Sequence, residues 1–339
     1  MFTLAREARG YSQADLAEVS GVSRQSISRF ELNDFQLSEG FTSSLMDALK
    51  FAPPLYKLDQ ETLPPATYRR RDTVPAKLLT QIDALINVYA FGITHLLNAI
   101  KFDQLNVPLF PVSETQTPEQ AAIKVRDAWQ LPEGPVSNVI AAMEANGFMT
   151  MAMDFETERI DSRSILIDDK FPVIFYNKKL QGDRLRFTLA YELGHIVMHT
   201  RSKVLRLDDS HEANVFAAEF LMPKDDIIKD LDSKIDVEEL GLLKNKWMVS
   251  MQAILYRAED LGIITENHKR YLVNRFNDLK IRRREPKELD VTIERGHLLR
   301  DRITKYRSKQ KMNVKQIAEF FYMKEDEFQS TFNSMSSNN

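Results

Sequence analysis

The stretch from Arg186 to His199 reads Arg-Phe-Thr-Leu-Ala-Tyr-Glu-Leu-Gly-His-Ile-Val-Met-His, and the rest of the chain is interpreted around it. At 3.6 residues per turn, Tyr191, His195 and His199 lie at i, i+4 and i+8 on one face of a helix. Glu192 precedes His195 by three residues, so its carboxylate borders this face. The intervening apolar residues predict a helix that is buried except along this polar seam. Two imidazoles one turn apart beside a glutamate are typical of a zinc site that activates water.

A second helix is predicted to start near His211 and to end before Pro223. It carries Glu212, and a glutamate from a second helix is a standard third ligand of catalytic zinc, with water in the fourth position. Three of the six histidines lie in the segment 195–211. This concentration of imidazoles beside carboxylates favours metal binding.

The composition fits a globular protein of two or three domains: 339 residues, 43% hydrophobic, 28% charged, net charge −3. The small net charge gives no general attraction to nucleic acid, so any DNA binding has to be local. The chain has no Cys, which excludes disulfides, thiolate metal sites and cysteine nucleophiles. We find no signal peptide and no apolar run near the ~20 residues that span a membrane, so we expect a cytoplasmic protein without membrane contact.

Residues 1–52 are predicted to form short helices with tight connections. Ser12 and Ser23 are placed to cap two successive helices, and Gly21 breaks the chain between them. Two helices joined by a short turn with glycine make a helix-turn-helix unit. The series Ser-Gln-x-x-Leu-Ala-x-x-x-Gly-Val-Ser-x-x-x-Ile-Ser-x-x-Glu resembles the XRE/Cro-type family, over about residues 4–50.

In that family the second helix of the unit enters the major groove of DNA. The resemblance implies that Arg24, Gln25 and Arg29 read bases, since Arg and Gln make paired hydrogen bonds to guanine and adenine. It implies that Gln13 and Ser23 contact the DNA backbone. A homodimer is expected, because such proteins pair on two-fold DNA sites. The alternative is a helical bundle for dimerisation, which the excess of acidic over basic residues in this segment favours.

Two further motifs carry a second resemblance. Arg-Phe-Thr-Leu-Ala-x-Glu-Leu-Gly-His and Glu-Ala-Asn-x-Phe-Ala-Ala-x-x-Leu-Met-Pro resemble the ImmA/IrrE family of zinc metallopeptidases, and the likeness extends over about residues 68–275. It implies a zincin-like domain in which residue 191, His195 and Glu212 hold Zn²⁺ and Glu192 is the general base. It also implies a regulatory role in stress, phage or toxin–antitoxin control, with a repressor or toxin as the partner protein.

Tyr191 departs from this pattern, in which the first ligand is His. A phenol has a pKa near ~10 against ~6.5 for imidazole, so it is a poor zinc ligand unless the metal deprotonates it. Three outcomes stay open. Tyr191 ligates the metal or bonds its water; or His199 or His211 completes a shifted set with His195 and Glu212; or the domain holds no metal and is a scaffold.

We therefore expect a DNA-binding transcriptional regulator whose metallopeptidase-like body binds metal and cleaves or senses a partner. The alternative is a non-enzymatic transcription factor or antitoxin whose pseudo-peptidase body is a sensor or a dimerisation scaffold. The expected fold is mainly α with a small antiparallel sheet (α+β). The predicted segments are a helix-turn-helix domain (1–52), a proline-rich linker (53–76), a metallopeptidase-like domain (77–285), a C-terminal helical element (286–332) and a disordered tail (333–339).

Overall fold

The computed structural model describes most of the chain, namely residues 1–32, 38–59, 61–63, 68–101, 106–108, 110, 116–199 and 209–333. Sixteen α-helices, two 3-10 helices and four strands lie within these ranges. The predicted mainly α fold with a small sheet is therefore confirmed. Part of the predicted linker (64–67) and most of the predicted tail (334–339) lie outside the described residues.

The helices and strands follow one another in an order that puts the sheet near the middle of the chain. In chain order the helices are α1 (Phe2–Ala8), α2 (Gln13–Ser20), α3 (Arg24–Glu31), α4 (Glu39–Ala48), α5 (Ala76–Ala99), α6 (Pro118–Ala128), α7 (Val139–Ala145), α8 (Gly182–Met198), α9 (Asp209–Leu221), α10 (Lys224–Ile227), α11 (Val237–Trp247), α12 (Met251–Asp260), α13 (Glu266–Asp278), α14 (Leu298–Lys309), α15 (Val314–Phe320) and α16 (Glu325–Asn333). The 3-10 helices are Pro53–Lys57 and Lys287–Leu289, and the strands are β1 (Arg69–Arg70), β2 (Met149–Met153), β3 (Ile160–Ile167) and β4 (Phe171–Asn177).

The chain divides into two compact units, each assembled from more than one segment. The first unit comprises Met1–Asp103, Phe155–Ile160 and His297–Asn339, and the second comprises Gln104–Asp154 and Asp161–Gly296. The N-terminal and C-terminal helices thus belong to the same unit. None of the helices in the described ranges combines the length and apolar content that crossing a membrane requires.

The core of the first unit joins the N-terminal helices to the C-terminal segment. Fully buried apolar side chains from α1 to α4 pack in one cluster that also includes Tyr322. Phe51 pairs with Met323 in an isolated antiparallel bridge, and Arg9 donates a 2.8 Å hydrogen bond to Glu327. The helix-turn-helix segment is therefore stabilised by residues almost at the other end of the chain.

The C-terminal helices start later and are more broken than the sequence indicates. In the predicted C-terminal helical element (286–332), the first α-helix begins only at Leu298. Before it, Glu294 accepts a 2.9 Å hydrogen bond from Ile140 N–H, which holds this part of the chain in a non-helical conformation. Later in the same element, α15 and α16 are separate helices, because Tyr322 between them adopts a left-handed conformation with φ 61°.

The sheet of the second unit has β4 in its centre. β3 and β4 are antiparallel neighbours, with Ile165 opposite Val173. β2 runs parallel to β4, with Met149 opposite the same Val173. The predicted antiparallel sheet is thus mixed. The physical reason is the tight β3–β4 connection, in which Asp168 and Asp169 both have positive φ (51° and 52°) and turn β4 back beside β2.

Helix α8 is enclosed by the rest of the second unit, as its apolar faces predict. Most of its side chains are buried, and it packs against α9, α7 and β4. Three buried cations of this unit are paired with carboxylates: Arg186 with Glu294, Arg257 with Glu219, and Lys244 with Asp183 and Glu285. These pairs cross-link helices that are far apart in sequence.

Candidate metal centre and DNA-binding face

The polar seam of α8 consists of three aromatic rings in succession. The ring centroids of Tyr191 and His195 are 4.6 Å apart, and those of His195 and His199 are 4.9 Å apart. The next helix approaches this seam closely because of Gly194, where a Cβ atom would lie only 2.8 Å from the Phe216 ring. The glycine therefore sets the short distance between α8 and α9.

At the end of the seam, His199 faces two carboxylates at the start of α9. Its Nε2 atom lies 2.8 Å from Glu212 Oε2 and 3.8 Å from Asp209 Oδ1. One ligand atom from each of the three residues falls within 4.8 Å of the others. On its other side, His199 Nδ1 lies 2.9 Å from His195 Nδ1, so one of these ring nitrogens donates to the other. We call His199, Asp209 and Glu212 the metal cluster.

Asp209 is the member of this cluster that the sequence reading missed. Its Oδ1 atom is buried and has no hydrogen-bond partner among the described residues. A buried carboxylate oxygen without a partner is costly, so it points to a cation. The signal in the sequence was the spacing of three between Asp209 and Glu212, which places both side chains on one face of a helix.

The glutamate beside the seam is hydrogen-bonded to strand β3. Glu192 is 4% exposed, and its two carboxylate oxygens accept hydrogen bonds from Ser162 (2.5 Å) and Ser164 (2.6 Å). These serines alternate along β3 and so share a face of the sheet. Sequence reasoning missed both, although their spacing of two on a strand was visible.

Two other predicted ligands, Tyr191 and His211, differ in burial and contacts. Tyr191 is 6% exposed, and its hydroxyl donates a 3.2 Å hydrogen bond to Ser210 in the first turn of α9. His211 is exposed and is not a member of the metal cluster. The structure therefore brings His199 and Glu212 together directly, with His195 behind them.

The predicted DNA-reading residues are presented by α3 of the first unit. Ser23 caps α3 by accepting the Ser26 N–H, and Gly21 ends α2 in a left-handed conformation, φ 71°. Ile27 is fully buried, so the opposite side of α3 faces outward. The exposed residues on or beside that side are Ser23, Arg24, Gln25 and Arg29.

Gln13 differs from these residues because its side chain is hydrogen-bonded to another residue of the helix-turn-helix segment. Its amide nitrogen donates a 2.8 Å hydrogen bond to Glu31 Oε2, and the same carboxylate pairs with Arg6 at 2.6 Å. Gln13 thus links the start of α2 to the end of α3. The helix-turn-helix geometry is stabilised by this contact.

Comparison with known protein families agrees with both regions. Residues 4–50 match the family model described as helix-turn-helix, and residues 143–259 match the one described as IrrE N-terminal-like domain. The chain carries an XRE-type helix-turn-helix head followed by an IrrE-like, peptidase-like domain. A search of curated proteins finds no match. The metal cluster lies inside the IrrE-like domain, and the exposed face of α3 lies inside the head.

The IrrE-like domain is zincin-like, which suggests zinc, and its residues fit a divalent cation. The donors are one imidazole and two carboxylates, all common zinc ligands. Asp209 Oδ1 in particular is buried without a hydrogen-bond partner in the described structure, as expected of an atom that faces a cation. Both the types of ligand and the unpaired Asp209 oxygen therefore fit a bound cation.

Proposed function

We propose that this protein is a cytoplasmic, homodimeric, DNA-binding transcriptional regulator. Its IrrE-like domain holds a divalent cation, for which Zn²⁺ is the first candidate, and senses a partner regulatory protein. The observation that carries the proposal is the metal cluster in a domain that follows a helix-turn-helix head. A repressor or toxin from a stress, phage or toxin–antitoxin response is the kind of partner we expect.

The DNA-binding part rests on the exposed face of α3. Arg24, Gln25 and Arg29 offer side chains that make paired hydrogen bonds to base edges, while Ser23 lies where the helix N-terminus would approach a phosphate. Helix-turn-helix proteins usually bind as dimers to half-sites one helical turn apart. Light scattering of the protein with and without its DNA site tests the homodimer.

The metal part rests on chemistry that the domain's own side chains supply. When bound, a zinc ion provides a Lewis acid and fixes the ligands around it. His199, Asp209 and Glu212 bind and orient, and the hydrogen bond from Tyr191 to Ser210 ties α8 to the segment that carries the two carboxylates. A cation here would hold the start of α9 against α8, so its loss would change the surface that a partner contacts.

Peptide hydrolysis of the partner is the second candidate, and the sequence Glu192-Leu193-Gly194-His195 favours it. A general base has to reach the proton it accepts. Both oxygens of Glu192 accept hydrogen bonds from serine hydroxyls on β3, which makes the carboxylate a weaker base. This geometry favours sensing over hydrolysis. Under the sensing proposal, Glu192→Gln leaves the partner response unchanged, whereas a hydrolase would lose it.

The DNA assignment is tested by selection from randomised DNA followed by affinity measurements. We expect Arg24→Ala plus Arg29→Ala to weaken binding to the selected site by at least about tenfold, since a good bidentate base contact contributes about 1–3 kcal/mol. Arg282→Ala plus Arg283→Ala removes two exposed arginines elsewhere and is the matched control. An unselective parent protein, or equal weakening in both double variants, contradicts the assignment.

The metal assignment is tested by elemental analysis of the full chain purified without added zinc. We expect a stoichiometric divalent ion that is lost in Glu212→Gln, because the amide removes one anionic ligand. Asp225→Asn, at an exposed aspartate outside the cluster, is the matched control and should retain the ion. A parent protein that binds neither Zn²⁺ nor Mn²⁺ after dialysis against each ion would overturn this part and leave the DNA assignment standing.

A further inference from the structure

We infer that the cation of the IrrE-like domain is bound in a shifted frame, by His199, Asp209 and Glu212, with His195 as a positioning residue behind His199. The inference rests on the metal part of the proposed function. It departs from the ligand set that the motif implies, in which residue 191 and His195 would bind the metal together with Glu212.

The distances within the metal cluster suit a small cation. Ligand atoms about 2.0–2.2 Å from a tetrahedral zinc ion are separated from one another by roughly 3.4 Å. His199 Nε2 lies 2.8 Å from Glu212 Oε2 and 3.8 Å from Asp209 Oδ1, on either side of that value. All three ligand atoms lie within 4.8 Å of one another, so shifts of about 1 Å would bring them to ligand positions.

The charge of the cluster also matches a divalent ion. Asp209 and Glu212 supply two negative charges, and a neutral imidazole adds none. The buried Oδ1 of Asp209, without a hydrogen-bond partner in the described part of the chain, would gain a partner from the ion. One nitrogen and two oxygen donors form a harder set than two imidazoles and one carboxylate, so Mn²⁺ should be accepted beside Zn²⁺.

His195 acts on the ion through His199. Ligating histidines commonly use their second ring nitrogen in a hydrogen bond that fixes the orientation of the ring. The 2.9 Å contact between the two Nδ1 atoms does this here and turns Nε2 of His199 toward the carboxylates. His199 is also the residue that ends α8, where its N–H donates to the His195 carbonyl, so both contacts between these residues hold it in place.

The two remaining residues of the motif are engaged elsewhere. Tyr191 donates its hydroxyl hydrogen to Ser210, which anchors the first turn of α9 beside the seam. Glu192 is held by the two serines of β3. In the shifted frame neither Tyr191 nor Glu192 is a ligand of the cation, which agrees with a sensing role.

The test measures Zn²⁺ affinity of the full chain by competition with a chromogenic chelator. We expect Asp209→Asn and His199→Gln to weaken binding by more than about 100-fold, and Tyr191→Phe to change it by less than about threefold, because the phenol is not a ligand in this frame. Asp225→Asn again serves as the matched control. Urea unfolding of each metal-free variant checks that it folds.

A positioning role for His195 predicts a change in Zn²⁺ affinity without a change in stoichiometry. We expect His195→Ala to weaken Zn²⁺ binding by about 10- to 100-fold at unchanged stoichiometry, and His195→Asn, which keeps a hydrogen-bonding group, to restore part of the affinity. If Tyr191→Phe and His195→Asn both abolish binding while Asp209→Asn keeps it, the shifted frame is wrong. The metal part of the proposed function would survive that result, because Glu212 belongs to both frames.

Discussion

The close approach of α8 and α9 at Gly194 gives a quantitative prediction for Gly194→Ala. The new Cβ atom would lie 2.8 Å from Cδ1 and 3.1 Å from Cβ of Phe216, and Phe216 is fully buried and cannot turn away. Overpacking costs about 1–3 kcal/mol, and a Cβ atom 2.8 Å from a fully buried ring puts this substitution in the upper part of that range, at about 2–3 kcal/mol. The higher helix propensity of alanine raises the free energy of unfolding by about 1 kcal/mol and offsets part of this cost. We expect the crowding to win, with a net loss of about 1–2 kcal/mol.

Tryptophan fluorescence during urea unfolding measures this loss in the relevant unit. Both tryptophans of the chain, Trp129 and Trp247, belong to the second unit and are buried. With a slope near ~2 kcal/mol per M, the midpoint should fall by roughly 0.5–1 M. Gly241→Ala is the matched control, because its Cβ would meet just the flexible end of Leu289, at 3.3 Å.

The control should be unchanged or slightly stabilised. An unchanged or higher midpoint for Gly194→Ala would refute the claim that this glycine sets the α8–α9 distance. Because α8 carries His199 and α9 carries Glu212, the substitution should also weaken metal binding.

Two further predictions concern charged side chains of the second unit. Lys244→Met leaves Asp183 buried without its cation and should lower the free energy of unfolding in urea by about 3–5 kcal/mol. The control Lys246→Met, at an exposed ion pair, should lower it by less than about 1 kcal/mol. Equal losses in the two variants would contradict the role of burial. Asp226 accepts a 2.7 Å hydrogen bond from Gly134 N–H, which is the main cause of its lowered pKa. A carboxylate with a depressed folded-state pKa stabilises above its ordinary value near 3.8 and loses this contribution as the pH falls through the folded-state pKa. Asp226→Asn should therefore lower the free energy of unfolding at pH 7 by about 1 kcal/mol, and the difference from the parent should shrink as the pH falls below 3.8 through the folded-state pKa. A constant difference across pH would rule out the charge as the cause.

Local signals in the sequence determined the head and the position of the polar seam. Ser12 and Ser23 cap α2 and α3 as their side chains predict. Gly21 takes the left-handed conformation that ends α2. The spacing of Tyr191 and His195 placed their rings in contact. Such features depend on residues within a few positions of one another, which is why a single sequence reveals them.

The tertiary structure alone decided which of these side chains meet. β4 lies between β2 and β3 because a hairpin turn joins it to β3 and its other edge pairs with β2. Glu192 accepts hydrogen bonds from Ser162 and Ser164, which are distant from it in sequence. Asp209 joins His199 because a helix after the seam folds back onto it. Contacts of this kind depend on how distant segments pack. Which residues meet is decided by burial and by the need of every buried polar atom for a hydrogen-bond partner. The periodicity of residues along the chain does not reveal these long-range contacts.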